Sequence, residues 1–94
     1  PATIRLQSGF VINHLEIYPN PSRDIFNITF NSDEAQTIYV KVLNILGKIV
    51  YEEDLHEFIG EYTKKINLSD FDRSIYFLEI ETENGKINKK LILQ

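Results

Sequence analysis

Two prolines at alternate positions constrain this 94-residue chain more than any other feature, in the segment Tyr18-Pro19-Asn20-Pro21-Ser22. Each proline ring fixes φ near about −65° and removes a backbone N–H group. It also moves the preceding residue out of the helical region of φ/ψ space. A helix therefore does not cross this segment, and a strand that reaches it must end or run along a sheet edge. We interpret residues 18–22, here called the proline motif, as the entrance to a small β domain.

Alternation of apolar and polar residues predicts strands along the rest of the chain. Phe26, Ile28 and Phe30 alternate with polar residues, so their side chains share one face. The same period, with turn residues between the runs, predicts strands at residues 15–17, 38–43, 49–55, 63–68, 75–82 and 87–93. About seven short strands without a long helical pattern predict an all-β fold, an immunoglobulin-like antiparallel β-sandwich.

The connections and the core follow from the same pattern. We expect positive φ at Gly47 in one hairpin, and the Asn-Gly pair within residues 83–86 predicts a second, tight hairpin at Gly85. Residues 31–36 are expected to form a polar loop, and Phe71 to pack beneath a corner at residues 69–74. The predicted core consists of Phe26, Ile28, Phe30, Val40, Val42, Ile66, Tyr76, Leu78, Ile80, Leu91 and Leu93.

Composition and charge exclude several classes of protein. The net charge of −4 argues against nucleic-acid binding, which needs a basic face. No apolar run approaches the roughly 18 residues of a membrane span, and the absence of cysteine excludes disulfides and thiol chemistry. Residues 1–13 have a weak pattern, with at most a short strand near Ile4, and we expect a linker or the tail of an upstream cargo there. Residues 14–94 are then one domain.

No arrangement of residues in the sequence predicts catalysis, a cofactor or a metal. His14 and His56 are far apart in sequence, so a zinc site would need distant carboxylates. Glu79 and Glu81 are interpreted as a solvated strand face rather than as an acid/base pair. The aromatic residues expected to be exposed could form a sugar-binding strip or reflect strand propensity alone; they are Tyr39, Tyr51, Tyr62 and Phe77.

The order of the motifs resembles the type A C-terminal sorting domain of the type IX (Por) secretion system of Bacteroidetes. The resemblance covers residues 14–94 and starts with the proline motif. It continues through Gly47-Lys48 in the hairpin at mid-chain, Tyr76 in the sixth predicted strand, and Gly85 with the Lys-Lys-Leu ending. The sequence departs from the family at Ser74, where a glycine is usual, which puts positive φ at this corner in doubt.

The resemblance implies a non-catalytic export signal. Such domains are joined to an upstream cargo and are recognised by the outer-membrane translocon after passage through the periplasm. A sortase-like peptidase commonly removes them, and the cargo reaches the cell surface or the medium. We expect any cut to lie N-terminal to Leu15. The alternative function is a carbohydrate-binding or adhesive β-sandwich appended to a secreted enzyme.

The final strand is the predicted partner-binding site. It is the last strand of the chain, and one edge is expected to be open to strand addition by a partner. Edge lysines are also a common protection against self-association, which is the alternative interpretation. The residues assigned to this site are Lys86, Lys89, Lys90, Leu91, Ile92 and Leu93.

Overall fold

The computed structural model describes residues 2–5, 11–83 and 85–94. These residues form six antiparallel strands, with isolated turns and one short parallel bridge between them. No helix in this part of the chain is long and apolar enough to cross a membrane. The strands are β1 (Ala2–Arg5), β2 (Val11–Tyr18), β3 (Ile25–Leu43), β4 (Ile49–Asn67), β5 (Ile75–Thr82) and β6 (Gly85–Ile92).

The sheet is organised around β3, which pairs with three other strands. Residues 25–32 of β3 pair with β2 and with residues 60–67 of β4, and β1 extends this side; we call it half A. Residues 36–43 of β3 pair with residues 49–58 of β4, residues 39–43 also pair with β5, and β6 extends this side, which is half B. The antiparallel all-β class is confirmed, and the two halves remain parts of one curled sheet.

The predicted polar loop at residues 31–36 is wrong, because β3 runs through it. Side chains in this segment form hydrogen bonds to backbone groups that would otherwise pair with a neighbouring strand. Ser32, which is buried, donates its hydroxyl to the carbonyl of Glu34 at 2.8 Å and accepts from Gln36 Nε2 at 2.8 Å. β3 and β4 are each 19 residues long and each cover two of the predicted strands, which explains the difference in strand count.

Bulges bend β3 and β4 where they pass from half A to half B. Their register shifts between Ser32 and Ile38, opposite Glu57 and Gly60. Glu57 has φ of 51° and Gly60 has φ of +100°. A bulge increases the local twist and bends the strand, and at Gly60 the absence of a Cβ permits this φ. The bend lets the two halves face each other.

The core lies between the two halves, and every predicted core residue is buried. The same cluster also contains Ile12, Leu15, Ile38, Tyr62 and Leu68. Leu78 and Leu91 of half B are fully buried, as are Phe26 and Ile28 of half A. Burial of one continuous apolar cluster is the main source of stability for such a sheet.

Two expectations about aromatic residues are wrong, and one strand starts earlier than predicted. Tyr62 is 5% exposed because it faces the core with Ile66, and Phe71, in the corner between β4 and β5, is 39% exposed. β2 begins at Val11 rather than at Leu15, and Ile12 is buried against the core. The domain boundary at residue 14 stays a prediction. Residues 1, 6–10 and 84 lie outside the described part of the chain.

Candidate partner-binding site at the C-terminal strand

Asn20 of the proline motif holds the C-terminal strand through both ends of its side-chain amide. Its Nδ2 donates to the carbonyl of Lys90 at 2.8 Å, and its Oδ1 accepts from the amide of Ile92 at 2.9 Å. An amide side chain carries both a donor and an acceptor, so it reproduces the two bonds that a neighbouring strand would make. The sequence revealed the two constraining prolines but not this contact.

Ser22 completes the attachment through its backbone. Its N–H donates to the carbonyl of Ile92 at 2.9 Å, and its carbonyl accepts from the amide of Gln94 at 2.9 Å. The side chain is buried, donates to the carbonyl of Ile25 at 2.6 Å, and accepts from the amide of Asp24. The proline motif therefore covers the last three residues of the chain and leaves the earlier part of β6 uncovered.

The corner between β4 and β5 also contacts the C-terminal end of the chain. Tyr76 is buried and donates its hydroxyl to the carbonyl of Asp72 at 2.6 Å, and burial raises the pKa of this phenol. Arg73 donates to the carbonyls of Arg23 and Gln94. Ser74 accepts from the amide of Leu93 at 2.9 Å. The non-glycine residues with positive φ in the described segments are His14 and Glu57, so Ser74 does not need the glycine that is usual in the family.

The outer edge of β6 presents alternate backbone groups. Ile92 directs its N–H to Asn20 and its C=O to Ser22, away from β5. Because antiparallel partners bond at alternate residues, the backbone groups of residues 86, 88 and 90 point to the same side. No strand of the described chain pairs there. We call residues 86–90 the β6 edge, and within it the carbonyl of Lys90 accepts from Asn20.

The three lysines of the predicted site do not share one face. Lys86 and Lys90 lie opposite Glu81 and Phe77, on the outer face, whereas Lys89 lies opposite the buried Leu78, on the core side of the sheet. An inward-pointing charge on an edge strand protects against edge-to-edge association, so the position of Lys89 fits that role.

Pairing also distinguishes the lysines. Lys86 Nζ lies 3.6 Å from a carboxylate oxygen of Glu79. Among the described residues, neither Lys89 nor Lys90 has a carboxylate within ion-pair distance. Lys90 is therefore an exposed and unpaired cation on the outer face, in a domain whose net charge is −4.

The apolar residues of the predicted site differ in accessibility. Leu91 is fully buried and Leu93 is 3% exposed, so both side chains belong to the core. Ile92 is half-buried and points to the outer face beside Ile75. A partner that binds this end of β6 contacts Ile92 and backbone groups directly. Leu91 and Leu93 affect such binding only by stabilising the fold.

The motif glycines form the two turns that frame half B. Gly47 has φ of +83°, as predicted, and Asn44 Oδ1 accepts from the amides of Leu46 and Lys48, each at 2.9 Å. Gly85 pairs with Thr82, which leaves a two-residue connection between β5 and β6. This register confirms the tight hairpin, although Asn84 lies outside the described residues.

The aromatic residues do not form one sugar-binding strip. Tyr39 and Phe77 lie on the outer face, whereas Tyr62 stacks on Phe30 inside the molecule, with ring centroids 4.7 Å apart. Tyr51 is half-buried and donates to Glu53 Oε1 at 3.1 Å. Four rings in these different environments do not present a common platform to a polysaccharide.

The polar cluster around Glu53 changes the acidity of two tyrosines. Tyr62 donates to the same Glu53 oxygen at 2.7 Å, and Lys64 lies 3.8 Å from the other. Burial, followed by the hydrogen bond and the charge of Glu53, raises the pKa of Tyr51 to about 12. The same causes raise the pKa of Tyr62 further. Neutral phenols that donate to one carboxylate stabilise this edge of β4, and the cluster faces the core rather than a cleft.

Comparison with known proteins identifies the kind of domain. The family model described as the secretion system C-terminal sorting domain matches residues 16–94. The chain is 31% identical over 78 residues to an ulvan lyase, NLR42, of Nonlabens ulvanivorans, which covers 82% of this chain and 14% of that protein. It is 28% identical over 93 residues to beta-agarase D of Zobellia galactanivorans, which covers 99% of this chain and 17% of that protein.

The chain thus spans less than a fifth of the length of these two curated relatives. The family match includes the proline motif, both hairpins and the whole of β6. The chain therefore belongs to the family of secretion system C-terminal sorting domains, which direct export to the cell surface or the extracellular space.

Proposed function

We propose that this chain is a non-catalytic C-terminal signal that brings an upstream cargo to the outer-membrane translocon of the type IX secretion system. The observation that carries the proposal is the β6 edge. The strand is fixed by Asn20 and Ser22 at its end, and it still offers the outward backbone groups of residues 86 and 88 and the amide of Lys90. Family membership supports the same role.

Recognition by strand addition fits this edge. A partner strand gains main-chain hydrogen bonds from the edge and reads alternate side chains. The side chains on the outer face are Lys86, Asn88 and Lys90, and the unpaired Lys90 favours an acidic receptor surface. This mode of recognition uses backbone and charge, so it needs no catalytic group and no cofactor.

We also propose that a sortase-like peptidase removes the domain by a cut N-terminal to Leu15. A protease needs extended and locally unpaired chain. Residues 11–13 pair with β1 or β3, and β1 itself pairs with β2, so we expect a cut within the segment 1–14 to follow local opening of the β1–β2 pair. Mass spectrometry of exported cargo tests this: a mature C-terminus inside β3 to β6 would contradict it.

A fusion assay in a type IX-competent host tests the sorting role. A monomeric reporter is expected to reach the medium or the cell surface only when it carries this domain at its C-terminus. A fused reporter that remains in the periplasm would overturn the proposal.

Single charge reversals then separate the lysines within the same assay. Lys90→Glu is expected to leave a folded fusion in the periplasm, because it repels an acidic receptor from the outer face. Lys89→Glu retains a charge on the core side of the edge and should be exported more efficiently than Lys90→Glu. Lys65→Glu on β4 is the matched control, since it makes the same change of charge at an exposed site. Equal export of Lys90→Glu and Lys65→Glu would remove Lys90 from the interface.

A further inference from the structure

Apolar side chains are exposed on the outer face of half B, next to the β6 edge. Leu46 is 87% exposed, Ile45 64%, Ile49 42% and Phe77 37%. Leu43 lies between two of them, because it pairs with Ile49 on β4 and with Phe77 on β5. We call these five residues the outer patch. Exposed apolar side chains that form a contiguous patch commonly mark an interaction surface.

The turn itself does not require apolar side chains at the hairpin tip of this patch. Asn44 and Gly47 form the turn, through the Asn44 side chain and the bond from the Gly47 amide to the Asn44 carbonyl at 2.9 Å. The side chains of Ile45 and Leu46 make no contribution to these bonds. Polar residues are the usual choice at such exposed positions, so the fold alone does not account for two large aliphatic residues there.

Three residues of the outer patch line a groove that can receive a side chain. The groove has a volume of about 440 Å³ and lies between Leu43, Ile45 and Phe77. Its polar side consists of Asn44, Asn88 and Glu79, and the Glu79 carboxylate is paired with Lys86. Asn88 belongs to the β6 edge, so the groove is continuous with the edge proposed for strand addition. A partner strand on that edge would place alternate side chains on the same face.

The rim of the patch is positively charged. Lys48 follows the hairpin turn, and Lys90 lies opposite Phe77. Neither has a carboxylate within ion-pair distance among the described residues, whereas the neighbouring Lys86 is paired with Glu79. Two unpaired cations beside an apolar groove, in a domain of net charge −4, favour a partner that carries carboxylates.

We propose that the outer patch is a docking surface for a protein of the export machinery. The partner inserts an aliphatic or aromatic side chain into the groove and places carboxylates near Lys48 and Lys90. This inference rests on the sorting function proposed above and adds a second, apolar surface to the β6 edge. A protein partner is favoured over a lipid surface because the groove is concave and has two amide side chains along it, which are suited to a shaped polar and apolar counterpart.

The test compares two exposed aliphatic residues in the reporter fusion. Leu46→Glu changes the outer patch, and Ile59→Glu makes a similar change at a 60% exposed site in the bend of β4, away from the patch. Leu46 is the most exposed side chain of the outer patch, and a carboxylate that docking leaves buried and unpaired weakens binding by about tenfold or more. We expect the exported reporter to fall by about that factor for Leu46→Glu. Ile59→Glu is expected to remain within about twofold of the unmodified fusion.

Further variants keep the test decisive. Leu46→Gln removes the apolar side chain without adding charge and should also lower export. It replaces Leu46→Glu in the test if that variant does not fold. Lys48→Glu should also lower export, whereas Lys65→Glu should not. Circular dichroism of the purified domain checks that each variant is folded.

The outcomes distinguish this inference from the sorting function. Normal export of folded Leu46→Gln and Leu46→Glu fusions would overturn the docking surface and leave the sorting function intact. Failure of the unmodified fusion to leave the periplasm would overturn both. Cosedimentation of the domain with phosphatidylethanolamine–phosphatidylglycerol vesicles, lost in Leu46→Glu, would replace the protein partner with a membrane and so also overturn the proposal.

Discussion

The contact between Asn20 and the C-terminal strand makes a quantitative prediction for Asn20→Ala. The substitution removes two hydrogen bonds, one to the carbonyl of Lys90 and one from the amide of Ile92. It leaves the two backbone bonds of Ser22 to the same segment in place. We expect the domain to remain folded, with a looser end of β6.

The magnitude follows from the exposure of the site. A protein hydrogen bond contributes a net of about 0.5–1.5 kcal/mol. Asn20 is exposed, so water can replace part of each lost bond, and values near the lower half of this range apply. The unfolding free energy should therefore fall by about 1–2 kcal/mol. For a domain of this size the melting temperature should fall by about 5–10 °C.

Two measurements test this prediction. Urea denaturation followed by circular dichroism gives the change in unfolding free energy, and hydrogen exchange of the Ile92 amide reports the local contact directly. Asn88→Ala is the matched control. Asn88 is an exposed asparagine on β6, the strand that Asn20 contacts, and its own side chain has no hydrogen-bond partner among the described residues. It should change stability by less than about 0.5 kcal/mol. An unchanged Ile92 exchange rate in Asn20→Ala would refute the reasoning.

Two further predictions concern the core and the tyrosines. Leu78→Ala should lower the unfolding free energy by about 2–5 kcal/mol in urea denaturation, because Leu78 is fully buried; a loss below about 1 kcal/mol would contradict the packing. The folded-state pKa of Tyr51 is raised from 10.0 to about 12, so the neutral phenol stabilises the fold below pH 10 and this contribution is lost as pH rises through about 12. Denaturation at pH 9–11.5 should show falling stability, with a shallower fall in Tyr51→Phe; equal slopes would count against the Glu53 cluster.

The sequence predicts the strands of this fold wherever the alternation is uninterrupted. Phe26, Ile28 and Phe30 in β3 and Leu78 and Ile80 in β5 are all buried as expected. Period 2 is a direct consequence of strand geometry, so it needs no knowledge of the partner strand. For the same reason the antiparallel all-β class could be predicted before any contact was known.

The errors arise where contacts distant in sequence decide the outcome. Residues 31–36 look like a loop, and the hydrogen bonds of Ser32 keep them in β3. Tyr62 lies four residues before Ile66, so the two side chains point to the same face of a strand. This spacing predicts the burial of Tyr62 once β4 is known to start before residue 63. Phe71 lies beyond the end of the strand, where no period applies.

The candidate site is predictable in position but not in detail. The prolines indicate where the domain begins, yet the partners of Asn20 lie 70 and 72 residues further along the chain. No local pattern carries that information. Likewise, the separation of Lys89 from Lys90 by face follows from period 2, but the ion pair of Lys86 with Glu79 depends on the register of β5 and β6.

The long strands β3 and β4 have a consequence for how the domain opens. Each contributes residues to both halves, so neither half can detach without disturbing the ladder that supports the other. We expect unfolding to be all-or-none, without a stable intermediate that retains one half. Amides in the middle of residues 39–43, which have a neighbouring strand on both sides, should then exchange only through global unfolding. We expect the end of β6 to open locally when the Asn20 contacts break, next to the β6 edge proposed for recognition, while the rest of the sheet stays closed.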